Sequence, residues 1–427
     1  VPKVSRGWPK TGLVSIRTEE TSWIFWKEIL MGKPFGLYVH IPFCSKLCHY
    51  CDFAKTANFN ADHQKSYIES LIKQLSVWYS VIPDSKRFTS VFFGGGTPGL
   101  LTHEYAELMT LIGQRAVHDV EVTLEANPSN VTEEACEVWR SLGFNRLSVG
   151  VQSFDESGLK VLTRDHSCSE AFSALQKAAK TFPRSNGDLI YGWPGQTTDS
   201  WLSDLSRMVD SGVNHLSLYA LTYEGQTPFA RAQRRGVMQA VDDDRLAIFY
   251  DAACEFLRKS GFEHEEISNW SRPGASCRHN WLYWHGDEYI GIGAGAHGFV
   301  ADGSNVGLRY CYPGDLRSFL RTEIQNSVGP EIKDIVLSTG GIVDSERTLE
   351  SWLLEYVGCG LRCRDGIDIN LITAKGYRLR ESEVFRRGLR DGMLRMQNDR
   401  IYLSESEWFR ETAWSLAVAD CFVVASI

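Results

Sequence analysis

One pattern repeats through residues 35–225: a short β-rich run ends in a glycine or polar turn, and a segment of helical period follows. Strand-like runs lie at 36–41, 90–93, 120–124, 146–149, 188–191 and 215–219, and helix-like stretches at 63–79, 103–114, 132–142, 169–181 and 198–211. Strands alternating with helices build a parallel sheet with the helices outside. Six such units fit a doubly wound sheet or part of a (β/α) barrel, and the placement of the polar residues favours the barrel. Chemistry-bearing residues follow the runs: Cys44, Cys48 and Cys51, then Gly94-Gly95-Gly96-Thr97-Pro98, Glu125-Ala126-Asn127-Pro128 and Gly150-Val151-Gln152-Ser153, with Tyr219 ending the sixth. A barrel gathers strand C-termini at one mouth, where sites are built. Asp188 fits less well, because it opens the fifth run.

The cysteine spacing is C-x3-C-x2-C on one short loop. Three thiolates hold three irons of a cubane cluster and leave the fourth iron open to a substrate or second cofactor, whereas ferredoxin patterns ligate every iron. A structural zinc site needs four closed ligands; the next cysteine is Cys136, so His40 or His49 would have to complete it. The glycine run lets the backbone approach a ligand closely, or serves only as a tight turn; it is neither a G-x-G-x-x-G fingerprint nor a P-loop. Glu125, Gln152, Arg164 and Asp188 form a polar set. Carboxylates at strand ends hold ribose hydroxyls or an ammonium, and an arginine clamps a carboxylate with two hydrogen bonds; the bland reading is salt bridges and caps.

With 427 residues the chain has room for two or three domains. Its net charge of −8 argues against a nucleic-acid or anionic-membrane surface. The cluster from Arg378 to Arg390 is interleaved with acids and reads as a solvated helix face. An odd number of scattered cysteines, 11, fits free thiols in a reducing compartment, hence the cytoplasm. No apolar stretch approaches the ~20 residues that span a membrane; peripheral contact stays open. Residues 1–34 read as an N-terminal extension with an apolar patch over 23–31, either a packed helix or sequence ahead of a start at Met31. The expected divisions are a barrel at 35–240, a barrel-covering region at 241–325, with a glycine-rich turn at 291–299, and a smaller C-terminal α+β domain at 326–427. Short helices and a hairpin at 393–403 make that last domain winged-helix-like.

Together, residues 38–53, 92–98, 125–128, 150–154, Arg164 and 188–194 resemble radical S-adenosylmethionine (SAM) proteins of the oxygen-independent coproporphyrinogen III oxidase group, from about residue 35 to the C-terminus. The resemblance implies a partial (β/α)6 radical SAM barrel, a [4Fe-4S] cluster on Cys44, Cys48 and Cys51, and SAM chelating the open iron. It implies that Gly95, Gly96 and Thr97 line the methionine part, that Glu125, Gln152, Arg164 and Asp188 contact SAM, and that Tyr38 and Tyr50 lie beside cluster and SAM. Two features choose a branch. The oxidases carry a further cysteine where this chain has Phe53, and His279-Asn280-Trp281-Leu282-Tyr283-Trp284 is similar to the H-N-x-x-Y-W motif of the haem-chaperone branch. That branch implies haem bound by His279, Asn280, Tyr283 and Trp284, and haem-accepting proteins as partners. Cys277, Tyr283, His285 and His297 remain alternatives for the iron ligand. An oxidase decarboxylating coproporphyrinogen III and a radical SAM methyltransferase are the rival readings.

Overall fold

The computed structural model describes residues 33–324, 329, 331–344 and 347–425. The expectation for residues 1–30, a packed helix or a later start, lies outside the described residues.

The six expected strands form, as β1 (Phe35–Ile41), β2 (Phe88–Gly95), β3 (Ala116–Ala126), β4 (Arg146–Gln152), β5 (Arg184–Tyr191) and β6 (His215–Ala220). They pair in parallel in chain order. Most of the helices between them begin on side-chain caps: Asn60, Thr132, Ser167 and Thr197 each accept a hydrogen bond from a first-turn backbone N–H. Their apolar faces, with Leu71, Trp78, Leu108, Trp139, Leu175, Trp201 and Leu205, cover one face of the sheet and form the main core.

The sheet extends beyond the six strands. Its order is β12-β11-β10-β9-β1-β2-β3-β4-β5-β6-β8-β7, twelve strands among the described residues. β9 (Glu288–Ile292) runs parallel to β1 on its outer side. β10 (His297–Val300), β11 (Leu308–Cys311) and β12 (Ile342–Val343) continue that edge antiparallel. β7 (Glu263–Glu266) and β8 (Asn269–Ser271) continue the other edge beside β6. The stretch expected as a glycine-rich turn over 291–299 is therefore two strand ends joined by the turn 293–296. Gly291 is central there, because a Cβ would fall 1.9 Å from the His297 carbonyl oxygen.

Ile335 and Val336 still belong to the main core. A second core, with Leu353, Val357, Ile367, Phe385, Leu394, Ile401 and Trp408, holds a smaller C-terminal α+β domain. Its three-stranded sheet contains the hairpin Leu394–Gln397 and Arg400–Leu403. Asn398 and Asp399, both at positive φ (51° and 57°), give the two-residue turn that matches strand twist.

Candidate functional site

The cysteine loop leaves β1 and is pinned at its base. Cys44 N–H donates to the Thr56 carbonyl (3.0 Å) and Thr56 N–H to that of Pro42 (2.7 Å). Phe43 is buried against Phe59 and Tyr67. The glycine run after β2 is laced to the same segment: Gly96 N–H donates to the Ile41 carbonyl (2.8 Å) and Thr97 N–H to that of Phe43 (2.7 Å). Close approach requires glycine at 96, where a Cβ would meet the Phe43 carbonyl oxygen at 2.7 Å. Gly95 has φ 109°, a conformation that L side chains rarely adopt.

Cys44, Cys48 and Cys51 line one cavity of about 600 Å³. Among the described residues, no three His, Cys, Asp or Glu side chains converge as ligands of a single ion would. Thiolates on three separate irons need no such convergence. Two donors point at the sulfurs: Thr97 Oγ1 lies 3.8 Å from Cys44 Sγ, and Arg164 Nη1 lies 3.2 Å from Cys48 Sγ. Burial pushes the Cys44 thiol up to about 11, so its thiolate needs a cation to compensate it. The donor set fits a [4Fe-4S] cluster.

The same cavity is lined by Tyr50, Gly95, Gly96, Thr97, Glu125, Gln152 and Arg164, and by Asp188, which fitted the mouth less well in the sequence. Tyr38 stands just behind it; its hydroxyl meets His40 Nδ1 at 3.1 Å, and its ring packs on Phe92, a lining residue. Gln152 sits at a β-bulge with φ 72°, a strained conformation of the sort that gathers at functional sites. Arg164 Nη2 is spent on Asn127 Oδ1 (2.6 Å) and the Gly150 carbonyl (2.7 Å), while its buried Nε has no partner. Burial and the neighbouring Asp188 raise the Glu125 carboxyl to about 8, so it is protonated at neutral pH and offers a hydrogen bond. Burial also raises Asp188, against hydrogen bonds from Asn186 and Ser148.

Asp188 is not at the start of its strand. β5 begins four positions earlier, at Arg184, so Asp188 sits well along the strand and lines the cavity. The alternation of a strand sends 146, 148 and 150 of β4, 186, 188 and 190 of β5, and 217 and 219 of β6 to the same face, and the bulge between 150 and 152 brings Gln152 to it as well. Sequence reasoning missed Arg146, Ser148, Asn186 and Ser217; that period of two was the available signal.

The H-N-x-x-Y-W segment lies on helix Arg278–His285, beneath the cavity. Its first residues lack a side-chain cap; instead Glu121, fully buried on β3, accepts from the N–H of Arg278 and of His279 (both 3.1 Å) and pairs with Arg184 (2.7 Å). Gly36 gives the helix room, since a Cβ there would meet Leu282 at 2.4 Å. Asn280 lines the cavity. His279 is fully buried and stacks on Phe92 (5.3 Å). Its Nδ1 meets Ser90 Oγ and its Nε2 the Tyr283 hydroxyl, both at 2.9 Å. Burial lowers it to about 3, so it is neutral. In this conformation neither ring nitrogen is free for an iron. Trp284 lies under the Arg362 guanidinium at 4.0 Å, and Arg362 pairs with buried Glu266. The segment thus forms a floor that joins the barrel to the C-terminal domain.

The radical SAM superfamily matches residues 38–208. The haem chaperone HemW of Lactococcus lactis is 34% identical over 342 residues, 79% of this chain and 84% of that protein. The chain belongs to the HemW family of radical SAM proteins. A second member of the family, from Mycobacterium tuberculosis, is 40% identical over 277 residues, 63% of this chain and 70% of that protein. The family's fold also appears in a solved radical SAM enzyme, the Escherichia coli coproporphyrinogen III oxidase HemN: TM-score 0.69 at 21% identity, over 94% of this chain and 93% of that one. That likeness bears out the radical SAM barrel.

Proposed function

We propose that the chain is a haem chaperone that binds a [4Fe-4S] cluster, SAM and haem, and passes haem to acceptor proteins. The observation that carries this reading is its relationship to the haem chaperone HemW across 84% of that protein. In this reading Cys44, Cys48 and Cys51 hold the cluster, and Arg164 donates to the Cys48 sulfur. Gly95, Gly96 and Thr97 receive the methionine part of SAM, with Tyr38 and Tyr50 beside it. Glu125, Gln152 and Asp188 supply its hydrogen bonds. When bound, cluster and SAM supply one-electron cleavage of a carbon–sulfur bond. The barrel wall keeps water from that chemistry.

His279, Tyr283 and Trp284 take part in haem binding only if helix Arg278–His285 opens, because His279 must first leave Ser90 and Tyr283. Among the described residues no helix is long and apolar enough to cross a membrane. A reducing compartment, the cytoplasm in this reading, suits the free cysteines.

The rival reading is coproporphyrinogen oxidation. One anaerobic experiment separates the two: reconstitute the cluster, add SAM and a reductant, and follow coproporphyrinogen III while titrating haem in parallel. The expected result is stoichiometric haem binding and no decarboxylation. Turnover of the porphyrinogen would overturn the chaperone reading.

A further inference from the structure

We propose that Asp204, a buried carboxylate on helix Thr198–Asp210, is a positioning residue that holds Gln152 and Arg164 in place at the cluster cavity. The inference rests on the SAM reading of that cavity and names what keeps two of its contacts in position.

Gln152 and Arg164 are the two ends of one segment, and both line the cavity. The segment leaves β4 at the bulge, where Gln152 takes φ 72°, and it closes through Thr163 at φ 55°. Such conformations persist only where the surroundings hold them. At the base of the segment, the buried His166 meets the Val151 carbonyl through Nε2 (3.1 Å). That bond does not reach the turn after Gln152.

Asp204 does reach it. Its Oδ2 accepts from the Ser153 hydroxyl (2.7 Å) and its Oδ1 from the Phe154 N–H (3.0 Å), the two residues that follow Gln152. Ser153 Oγ accepts in turn from the Asp155 N–H (3.0 Å). Asp155 caps the helix Glu156–Val161, accepting from the N–H of Ser157 and of Gly158. That helix packs directly on Ser153, because a Cβ at Gly158 would fall 2.7 Å from Ser153 Oγ. Just past its end comes Arg164, whose N–H donates to the Leu159 carbonyl (2.9 Å) and whose Nη1 lies 3.2 Å from Cys48 Sγ. One carboxylate therefore anchors the turn at Gln152 directly and the Arg164 end through Ser153 and the short helix.

The chemistry of Asp204 suits a fixed anchor. It is 2% exposed, and Ser153 is fully buried. A carboxylate is kept in such a place only where hydrogen bonds answer it. Burial raises it to about 6, so at neutral pH it is ionised and accepts both bonds. Arg207, one turn further on, lies over the Phe154 ring at 5.1 Å and favours the ionised form. Asp204 itself does not line the cavity, so it acts through Gln152 and Arg164 and not on a ligand.

The test is a SAM titration of the full chain with its cluster reconstituted and reduced, read by electron paramagnetic resonance, with iron and sulfide counted in each variant. Asp204→Asn keeps the shape and turns one acceptor into a donor. Ser153→Ala cuts the same link from the other side. Each should raise the SAM Kd by about tenfold or more, the range that an outer partner of a ligating group commands, with cluster content unchanged. The double variant should fall short of the sum, because both changes break one bond. Trp201→Phe is the control for stability alone: Trp201 is buried on the same helix but donates to the Phe249 carbonyl (2.9 Å), away from the turn. It should lower thermal stability and leave the SAM Kd as it was. Unchanged SAM affinity in both Asp204→Asn and Ser153→Ala would overturn the inference. So would a rise in Trp201→Phe equal to theirs, which would reduce Asp204 to a structural role. An unmodified protein whose cluster spectrum ignores SAM would sink the SAM reading itself, a different outcome from either.

Discussion

Cys48→Ala is expected to leave the protein folded and without its cluster. The loop is held by main-chain bonds at its base, Cys44 to Thr56 and Thr56 to Pro42, and by Phe43 in the core. None of these needs the Cys48 thiol. The cluster does: with only three protein anchors, losing one should cost more than the roughly 10–100-fold in affinity that an outer partner contributes. Iron and sulfide per chain, and visible absorbance after anaerobic reconstitution, measure it. Cys44→Ala and Cys51→Ala should behave alike. Cys136→Ala, buried in the helix Glu133–Ser141, should keep the full cluster. A Cys48 variant with full iron and sulfide would refute the ligand assignment.

Glu121→Ala carries the largest expected stability loss. Its carboxylate is fully buried and answers the Arg184 guanidinium and two N–H groups at the start of helix Arg278–His285. Removing one partner of a buried pair costs about 3–5 kcal/mol, a large part of the 5–15 kcal/mol that typically separates folded from unfolded. The loss should fall first on the floor helix. Trp281 and Trp284 sit on that helix, so tryptophan fluorescence should report its loosening before the whole chain melts. Thr132→Ala, an exposed helix cap, is the control and should cost only about 1 kcal/mol. Equal effects of the two substitutions on thermal unfolding would show that Glu121 is not the anchor described.

Much of the barrel was legible because its information is local. Six β-rich runs alternate with capped helices, and the cysteine loop, the glycine run, Glu125 and Gln152 mark strand ends. What was illegible depends on long-range packing. β9 pairs in parallel with β1 although some 250 residues separate them. Asp188 looked misplaced only because the β5 segment Arg184–Gly187 carries no β-rich signature. Helix Arg278–His285 is only eight residues long, exposed at Arg278 and His285 and packed between them, too short for a periodic signal to show its setting. Burial of His279 follows from that setting, and it agrees with the plain reading of the hexapeptide as a core segment, since a histidine beside aromatics is common in cores.

The open iron is tested most directly by electron paramagnetic resonance of the reduced, reconstituted cluster before and after SAM is added. Three-cysteine ligation beside a cavity lined by Glu125, Gln152, Arg164 and Asp188 predicts that SAM changes the spectrum in the unmodified protein. Asp188→Ala should weaken that change without altering iron content. A cluster whose spectrum is identical with and without saturating SAM would contradict an iron open to the cavity.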